Sequence, residues 1–209
     1  PCPSSLSVKI STMPKERICI IDHQINDLKG TVPSPPSASV AVFQNSWLQY
    51  IEPAIDAILD AHEAQGYRCI ITSDTPYMGA AVQTNEVRIN KNAQLEWYTA
   101  WMRDTYLAQA TRSQHQFADV WTEFTQFRSN YGDTLSAQLF ANCANLPPTS
   151  CVVGGTCNDI PAACTDGNHP GASAISIPGS AVTFTGRELR GQIIARAVGV
   201  LKQRIRDGD

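Results

Sequence analysis

The sequence has little charge for its length and no excess of basic residues. Of its 209 residues 17% are charged, with 16 Lys and Arg against 19 Asp and Glu and a formal net charge of −3. Because nucleic-acid binders carry a basic surface, this balance argues against a nucleic-acid partner. Soluble domains average about a quarter charged residues. The lower fraction predicts extra covered surface, against a covalently linked neighbouring domain or a second copy in a homodimer.

Long apolar runs and targeting signals are also missing from the sequence. No run approaches the roughly 18 apolar residues of a membrane span, and no signal-peptide pattern opens the chain, so we expect no membrane partner. The length is that of one compact domain with a substantial core. The chain begins at Pro1 without Met. We therefore expect either a trimmed protein or a domain cut from a longer one.

The seven cysteines do not have zinc-finger spacing. Cys19 and Cys69 each lie in a run of isoleucines, which predicts two small buried side chains in strands. The later cysteines contain no C-x-x-C pair: Cys143, Cys151, Cys157 and Cys164. We therefore expect reduced thiols in a cytoplasmic protein, and no metal bound by cysteine.

Helices alternate with short apolar runs along the chain, which is the pattern of an α/β fold. Strands are predicted at 17–22, 69–72, 151–154 and 174–177, with a further one at 182–184. Helical spacing of apolar residues predicts helices over 51–62 and 187–206. The predicted architecture is a Rossmann-like three-layer sandwich with a mainly parallel central sheet and a small helical cap or insertion.

The predicted domain organisation has a lead-in at 1–16, an α/β core at 17–91 and 129–209, and the helical cap or insertion at 92–128. Residues 29–46 are rich in Pro and Ser and predict mainly a loop. All four tryptophans lie between positions 47 and 121. Their aromatic stripe has two interpretations, core packing or a cap over an apolar pocket, and packing is the more general one.

Polar residues follow three of the predicted strands, where an open parallel sheet binds its ligands. They are Asp22 to Gln24, Thr72 to Asp74, and Gly154 to Asp159. A carboxylate that ends a strand of isoleucines is costly to bury without compensation, so Asp22 is the first candidate for a functional group.

Residues 17–180 resemble the haloacid dehalogenase-like (HAD) superfamily. Its members carry, after a late strand, G-D-x-x-x-D, a short Ala-rich helix and Gly, and the segment 152–167 (VVGGTCNDIPAACTDG) has this spacing. Asp22 lies where the family has its nucleophile, and Thr72 lies where a Ser or Thr ends its second strand. The resemblance implies a hydrolase that acts on a small-molecule substrate.

The departures from the family pattern concern the groups that hold Mg²⁺ and move protons. The second carboxylate of D-x-D is Gln24, which cannot act as an acid or base, and Gly155 replaces the acidic residue of G-D. Lys91 lies too early for the family's lysine and Arg128 is better placed, while Asp159 is retained. Because Mg²⁺ needs several oxygen ligands, we expect neither a tight Mg²⁺ site nor any other cofactor, and no efficient phosphoryl transfer.

This pattern is similar to that of metal-independent members, in which a carboxylate attacks carbon. We expect Asp22 to be the nucleophile, or the base that activates water, and Thr72 to help hold an oxyanion. Gln24 would bind the substrate carbonyl. Arg128 would orient Asp22 or the substrate, with Asp159 positioning Arg128 or water. The expected reaction is carbon–carbon hydrolysis of a 1,3-diketone-type compound in secondary metabolism, as in fungal methyltransferase/hydrolase fusions. The alternative is dehalogenase-type hydrolysis of a carbon–halogen bond.

Two further functions stay open on the sequence. Asp22-His23-Gln24 resembles the D-x-Q of isochorismatase-like cysteine hydrolases, which use Asp, Lys and Cys, although Ile160 stands where the cysteine is expected. A HAD fold that has lost activity and serves as a binding module would also show missing motif residues.

The remaining titratable residues have plainer interpretations. We expect His62 to pack in the core and His115 to lie on the solvated surface. The arginines of the last helix predict a solvated helix face: Arg187, Arg190, Arg196, Arg204 and Arg206.

Overall fold

The computed structural model describes residues 17–22, 39–76, 85–140, 170–172 and 174–208. Within these ranges the chain combines helices with a parallel sheet, so the α/β prediction is confirmed at that level. The predicted lead-in 1–16, the strand 151–154 and the helix after it lie outside the described residues.

The central sheet has three parallel strands in the order β1 (Ile18–Asp22), β2 (Arg68–Thr72) and β3 (Gln116–Ala118). The first two match the predicted apolar runs, whereas β3 was not predicted. Asp22 pairs in register with Thr72, and Thr72 pairs with Ala118. The three strands therefore end side by side, and we call this the carboxyl edge of the sheet.

A nearly continuous helical segment follows β1 in the described chain. It comprises α1 (Val40–Ser46), a π-helical turn at Trp47–Ile51 and α2 (Glu52–Glu63). The loop predicted for 29–46 is thus wrong for residues 40–46. Ser39 caps α1 by accepting a hydrogen bond from the Val42 amide. Pro lies in the first turn of α2, directly after the π-helical turn, and has no N–H to donate to the carbonyls of that turn.

The helix α3 (Asn85–Trp101) ends in a second π-helical turn, Met102–Tyr106, and carries most of the aromatic stripe. Trp97 and Trp101 stack with 5.8 Å between ring centroids, and Trp47 lies 4.6 Å from the ring of Tyr98. Trp47 and Tyr98 belong to the buried core and Trp97 and Trp101 pack against it, which agrees with the packing interpretation of the stripe.

Two long helices and a small hairpin complete the described fold. The helix α4 (Val120–Gln138) bends at Gly132, whose φ of 82° is a conformation that favours glycine. The strands β4 (Ile175–Ser176) and β5 (Thr183–Phe184) match predicted strands but pair antiparallel with each other, in a separate sheet. The helix α5 (Gly186–Asp207) agrees with the predicted terminal helix.

The strand residues alternate between two buried clusters. Cys19, Cys69 and Ile71 pack with residues of α1, α2 and α3, which we call the first cluster. Ile70 and Ala118 pack with residues of α4 and α5, the second cluster. Because successive side chains of a strand point to opposite faces, β2 contributes to both clusters.

The segment 92–128, predicted as a helical cap or insertion, includes β3, which pairs with β2. Part of this segment therefore belongs to the central sheet. Among the described helices, none is both long enough and apolar enough to span a membrane.

Candidate functional site

Asp22 and Thr72 end neighbouring strands, and their side chains are joined at the carboxyl edge. The Thr72 hydroxyl donates to Oδ1 of Asp22 at 2.6 Å. Thr72 is fully buried, whereas the Asp22 side chain retains 33% of its exposure. The two candidates therefore lie side by side, with the carboxylate reaching solvent and the hydroxyl behind it.

The cation at Asp22 comes from the last helix. Arg190, in the first turns of α5, donates from Nη2 to Oδ1 of Asp22, and its side chain is 20% exposed. The interpretation of the α5 arginines as a solvated face is thus wrong for Arg190. It is wrong for Arg204 as well, which donates to the backbone carbonyls of Ser113 and His115.

The chain beyond β2 contributes a short polar segment to the same edge. Ser73 is fully buried, its amide donates to the carbonyl of Ala118, and its Oγ accepts from the Trp121 amide. The Oδ1 of Asp74 accepts a hydrogen bond from the Thr75 amide at 2.8 Å. Ser73 thereby fixes the ends of β2 and β3 to each other, and Asp74 stabilises the turn that follows.

Tyr98 brings a phenol to this edge from α3. Its hydroxyl donates to the backbone carbonyl of Thr72 at 3.4 Å, and the residue is 3% exposed. Burial, and then the negative charges of Asp74 and Asp22, raise the pKa of Tyr98 far above its ordinary value. The phenol is therefore protonated at any physiological pH and acts as a hydrogen-bond donor.

Lys91 is a buried lysine on the same face of α3 as Tyr98. It is 4% exposed and lies two helical turns before Tyr98, at a spacing of seven residues. In a parallel β–α–β crossover the helix runs against the strands, so the N-terminal half of α3 lies on the carboxyl-edge side of the sheet. Lysine is almost never fully buried without a polar partner, which makes Lys91 a further candidate at this edge.

The remaining predicted site residues are placed only in part. Gln24 and Asp159 lie outside the described residues. Arg128 is half-buried in the middle of α4. The arginine that contacts Asp22 is Arg190, so the orienting role that the sequence assigned to Arg128 has a second candidate.

His115 is buried rather than solvated, contrary to the sequence interpretation. Its Nδ1 accepts from the Cys69 amide at 2.9 Å, so the proton of the neutral ring is on Nε2, which donates to Glu63 at 2.6 Å. Burial lowers the pKa of His115, against the opposing effect of the Glu63 carboxylate. Both ring nitrogens are engaged in fixing β2 to α2, so His115 serves the fold.

Within the described ranges, one group of His, Cys, Asp and Glu side chains has its ligand atoms close enough to share a metal ion. It comprises Cys19, His62 and Cys69. Cys19 is three residues from Asp22 along β1, about 10 Å, and faces the other side of the sheet. This group is therefore separate from the Asp22 site.

The sequence set Lys91 aside as lying too early for the lysine of the HAD pattern, but its burial had a usable signal. It continues the apolar stripe of Leu95, Tyr98 and Met102 at helical spacing, which predicts an inward side chain. Arg190 had no such signal, because its partner is 168 residues away in sequence.

Comparison of the chain with protein-family models, curated proteins and solved structures gives no match in any of the three.

Proposed function

We propose that this protein is a hydrolase that uses the Asp22 carboxylate to attack an electrophilic carbon without a divalent ion. The observation that carries the proposal is the arrangement at the carboxyl edge. Asp22 is partly exposed there, and both its described hydrogen bonds, from Thr72 and Arg190, go to Oδ1. The second oxygen, Oδ2, is used by neither bond and is the atom we assign to the attack.

The proposed substrate is a small 1,3-diketone-type molecule of secondary metabolism. Attack of Oδ2 on one carbonyl carbon forms a C–O bond and a tetrahedral oxyanion. Collapse of the oxyanion breaks the carbon–carbon bond and releases the other half as a stabilised enolate, which takes a proton from water. Water then cleaves the acyl–Asp22 anhydride, which yields a carboxylic acid and regenerates Asp22.

Each neighbouring group has a role in this scheme. Arg190 and Thr72 hold Oδ1 and so fix the direction in which Oδ2 points. The protonated Tyr98 keeps the end of β2 in place through the Thr72 carbonyl. Gln24, Arg128 and Asp159 keep the roles that the HAD resemblance implies, namely binding the substrate carbonyl, orienting the reactants and positioning water.

The finer architecture and setting belong to the same proposal. We place the described sheet and helices in a Rossmann-like three-layer sandwich of HAD type, working in the cytoplasm on a small molecule. Neither Cys19 nor Cys69 is in a disulfide, which is compatible with a reducing compartment. A linked neighbouring domain or a second copy would cover part of the surface.

The test is a turnover assay with matched substitutions. Asp22→Asn removes the nucleophile and is expected to lower kcat at least 1000-fold, an effect of the size seen for essential catalytic groups. Asp119→Asn is the control, because Asp119 also follows a strand of the sheet but caps α4, and Asn caps helices equally well. Arg190→Gln is expected to lower kcat about tenfold or more, whereas Arg196→Gln, on an exposed part of α5, leaves it unchanged.

The substrate panel contains a 1,3-diketone, a 2-haloacid and a generic phosphate ester, each with EDTA and with EDTA followed by Mg²⁺. Diketone cleavage that EDTA leaves intact and that Asp22→Asn abolishes supports the proposal. Haloacid turnover with the same dependence assigns the carbon–halogen alternative. Phosphatase activity restored by Mg²⁺ contradicts the metal-free mechanism, and no turnover of any substrate favours an inactive HAD fold that binds.

The buried Lys91 favours one second candidate, the isochorismatase-like cysteine hydrolase. That chemistry needs Asp, Lys and Cys together. In a β–α–β crossover the start of α3 lies towards the edge at which β1 ends with Asp22, so Lys91 is a lysine that this mechanism could use. Cys157 is the cysteine nearest in sequence to Ile160. Comparison of Asp22→Asn with Cys157→Ala therefore separates the two, because loss of activity in the cysteine variant alone assigns the cysteine mechanism.

A further inference from the structure

Two strands and a helix bring three metal-binding side chains together on the face of the sheet opposite Asp22. Cys19 and Cys69 are register partners in β1 and β2, so their thiols point to the same side. His62 reaches them from the last turn of α2. The three ligand atoms all lie within 4.8 Å of one another.

The imidazole of His62 is oriented in the way that metal-binding histidines usually are. Its Nδ1 lies 2.7 Å from the carbonyl oxygen of Ile58, one turn earlier in α2. A carbonyl can only accept, so Nδ1 carries the proton and Nε2 keeps the lone pair that a metal needs. A backbone carbonyl on the other ring nitrogen is the common support of a metal-bound histidine. The ring also packs edge-on against Tyr67, at 5.8 Å between centroids, which limits its rotation.

The donor set selects the metal. Two thiolates and an imidazole suit Zn²⁺ or Cu⁺ and exclude hard ions such as Mg²⁺ and Ca²⁺. Cys19 and Cys69 are 3% and 0% exposed, so the free-energy cost of burying the metal with its ligands depends on their net charge. Zn²⁺ with two thiolates is neutral, whereas Cu⁺ with two thiolates leaves a buried negative charge. The neutral zinc site is therefore the favoured one.

The geometry requires only a small adjustment. Zinc–sulfur bonds of about 2.3 Å in a tetrahedral site place the two sulfurs about 3.8 Å apart. A group within 4.8 Å reaches this arrangement by movements of less than 1 Å. The half-buried position of His62 leaves a side from which water can supply the fourth ligand.

We propose that Cys19, His62 and Cys69 bind one Zn²⁺ per chain, in a site that ties β1, β2 and α2 together. On binding, the two thiols lose their protons to solvent and form two zinc–sulfur bonds, with no change of oxidation state. The site is independent of the proposed hydrolase, since it lies on the other face of the sheet from Asp22.

The experiment uses Co²⁺ as a spectroscopic substitute for Zn²⁺. The full chain is treated with a chelator, kept reduced and anaerobic, and titrated with Co²⁺. We expect an intense near-ultraviolet sulfur-to-cobalt charge-transfer band that saturates at one equivalent and disappears when Zn²⁺ is added. The double variant Cys19→Ala/Cys69→Ala is expected to lose the band, and Cys157→Ala, which removes a cysteine outside the group, is expected to keep it.

His62→Phe provides a variant that removes no thiol and keeps a ring against Tyr67. We expect it to retain native circular dichroism, to bind Co²⁺ at least tenfold more weakly and to lose the rise in melting temperature that Zn²⁺ gives the unmodified chain. Absence of the band in the unmodified chain overturns the proposal. So does a band that survives in the double cysteine variant, or a Cys19–Cys69 disulfide found by mass spectrometry in the freshly prepared, unreduced protein.

Discussion

At the scale of single residues, the ion pair between Asp22 and Arg190 differs from the other arginine contacts of α5. Arg196 pairs with Glu123 while both side chains remain about half exposed, and such pairs add little to stability. The Asp22–Arg190 pair is more buried and joins the first strand of the sheet to the last helix. The same contact can hold the fold and orient a carboxylate for chemistry, so only a kinetic measurement separates the two roles.

His115 should make the stability of the protein depend on pH. Burial lowers its folded pKa below the ordinary value of 6.5, so between these two values the unfolded chain binds more protons than the folded one. The free energy of unfolding therefore falls as the pH decreases through about 6.5. Protonation of Nδ1 removes the acceptor of the Cys69 amide, so the charged ring also lacks a hydrogen bond that the neutral ring makes.

His115→Gln tests this prediction with both hydrogen bonds conserved. Gln offers an acceptor oxygen and a donor NH₂ in one planar group, in place of Nδ1 and Nε2–H, but does not titrate. Urea unfolding at pH 7 and pH 5 should show a smaller loss of stability in the variant than in the unmodified chain. The other three histidines are common to both proteins and cancel in the comparison. An equal loss in both would mean that His115 is not responsible.

At the scale of elements, regular apolar patterns were predictable and short or distant features were not. Four elements could be predicted from their own residues: β1, β2, α2 and α5. A run of isoleucines or an apolar stripe at helical spacing indicates by itself which side chains are buried. β3 has only three residues, which is too short for any alternation to be recognised. It exists because β2 offers a parallel partner, and that information is not local.

In the candidate site, too, residues with a local sequence signal were predictable and residues whose partners are distant in sequence were not. Asp22 and Thr72 were predictable because each ends an apolar strand, and parallel strands end at one edge. The helix α1 was missed because its residues follow a Pro- and Ser-rich stretch, although Ser39 is a good cap. Arg190 was missed because pairing across the whole length of the chain depends on the tertiary fold.

The start of α5 depends on a glycine for reasons of space. A Cβ on Gly186 would lie 1.9 Å from the carbonyl oxygen of Leu139, a backbone atom that cannot move away cheaply. We expect Gly186→Ala to lower the free energy of unfolding by about 3 kcal/mol, since the backbone must shift to accommodate it. Urea unfolding measures the change.

Gly199 in the same helix is the matched control. Nothing lies within 4 Å of a Cβ built on Gly199, so Gly199→Ala should raise the free energy of unfolding by about 0.5–1 kcal/mol through better helix propensity. Opposite signs for the two substitutions distinguish close packing from propensity. A Gly186→Ala variant as stable as the unmodified chain would mean that α5 does not approach Leu139 so closely.

At the scale of the whole molecule, β2 couples two cores that otherwise share few residues. Ile71 belongs to the first cluster and Ile70 to the second, and both are fully buried. Three of the four tryptophans, Trp47, Trp97 and Trp101, pack in or against the first cluster. Tryptophan fluorescence therefore reports mainly on one core, whereas far-ultraviolet circular dichroism reports on the helices of both.

Leu201→Ala tests whether the two cores unfold together. Leu201 is fully buried in the second cluster, so truncation should cost about 3 kcal/mol for lost burial and the cavity left behind. If β2 couples the cores, the fluorescence transition moves to lower urea as far as the dichroism transition, although no tryptophan of the first cluster was touched. Fluorescence that keeps its midpoint while the dichroism transition splits in two would show that the cores unfold independently. In that case β2 would be a shared boundary between two separately stable halves.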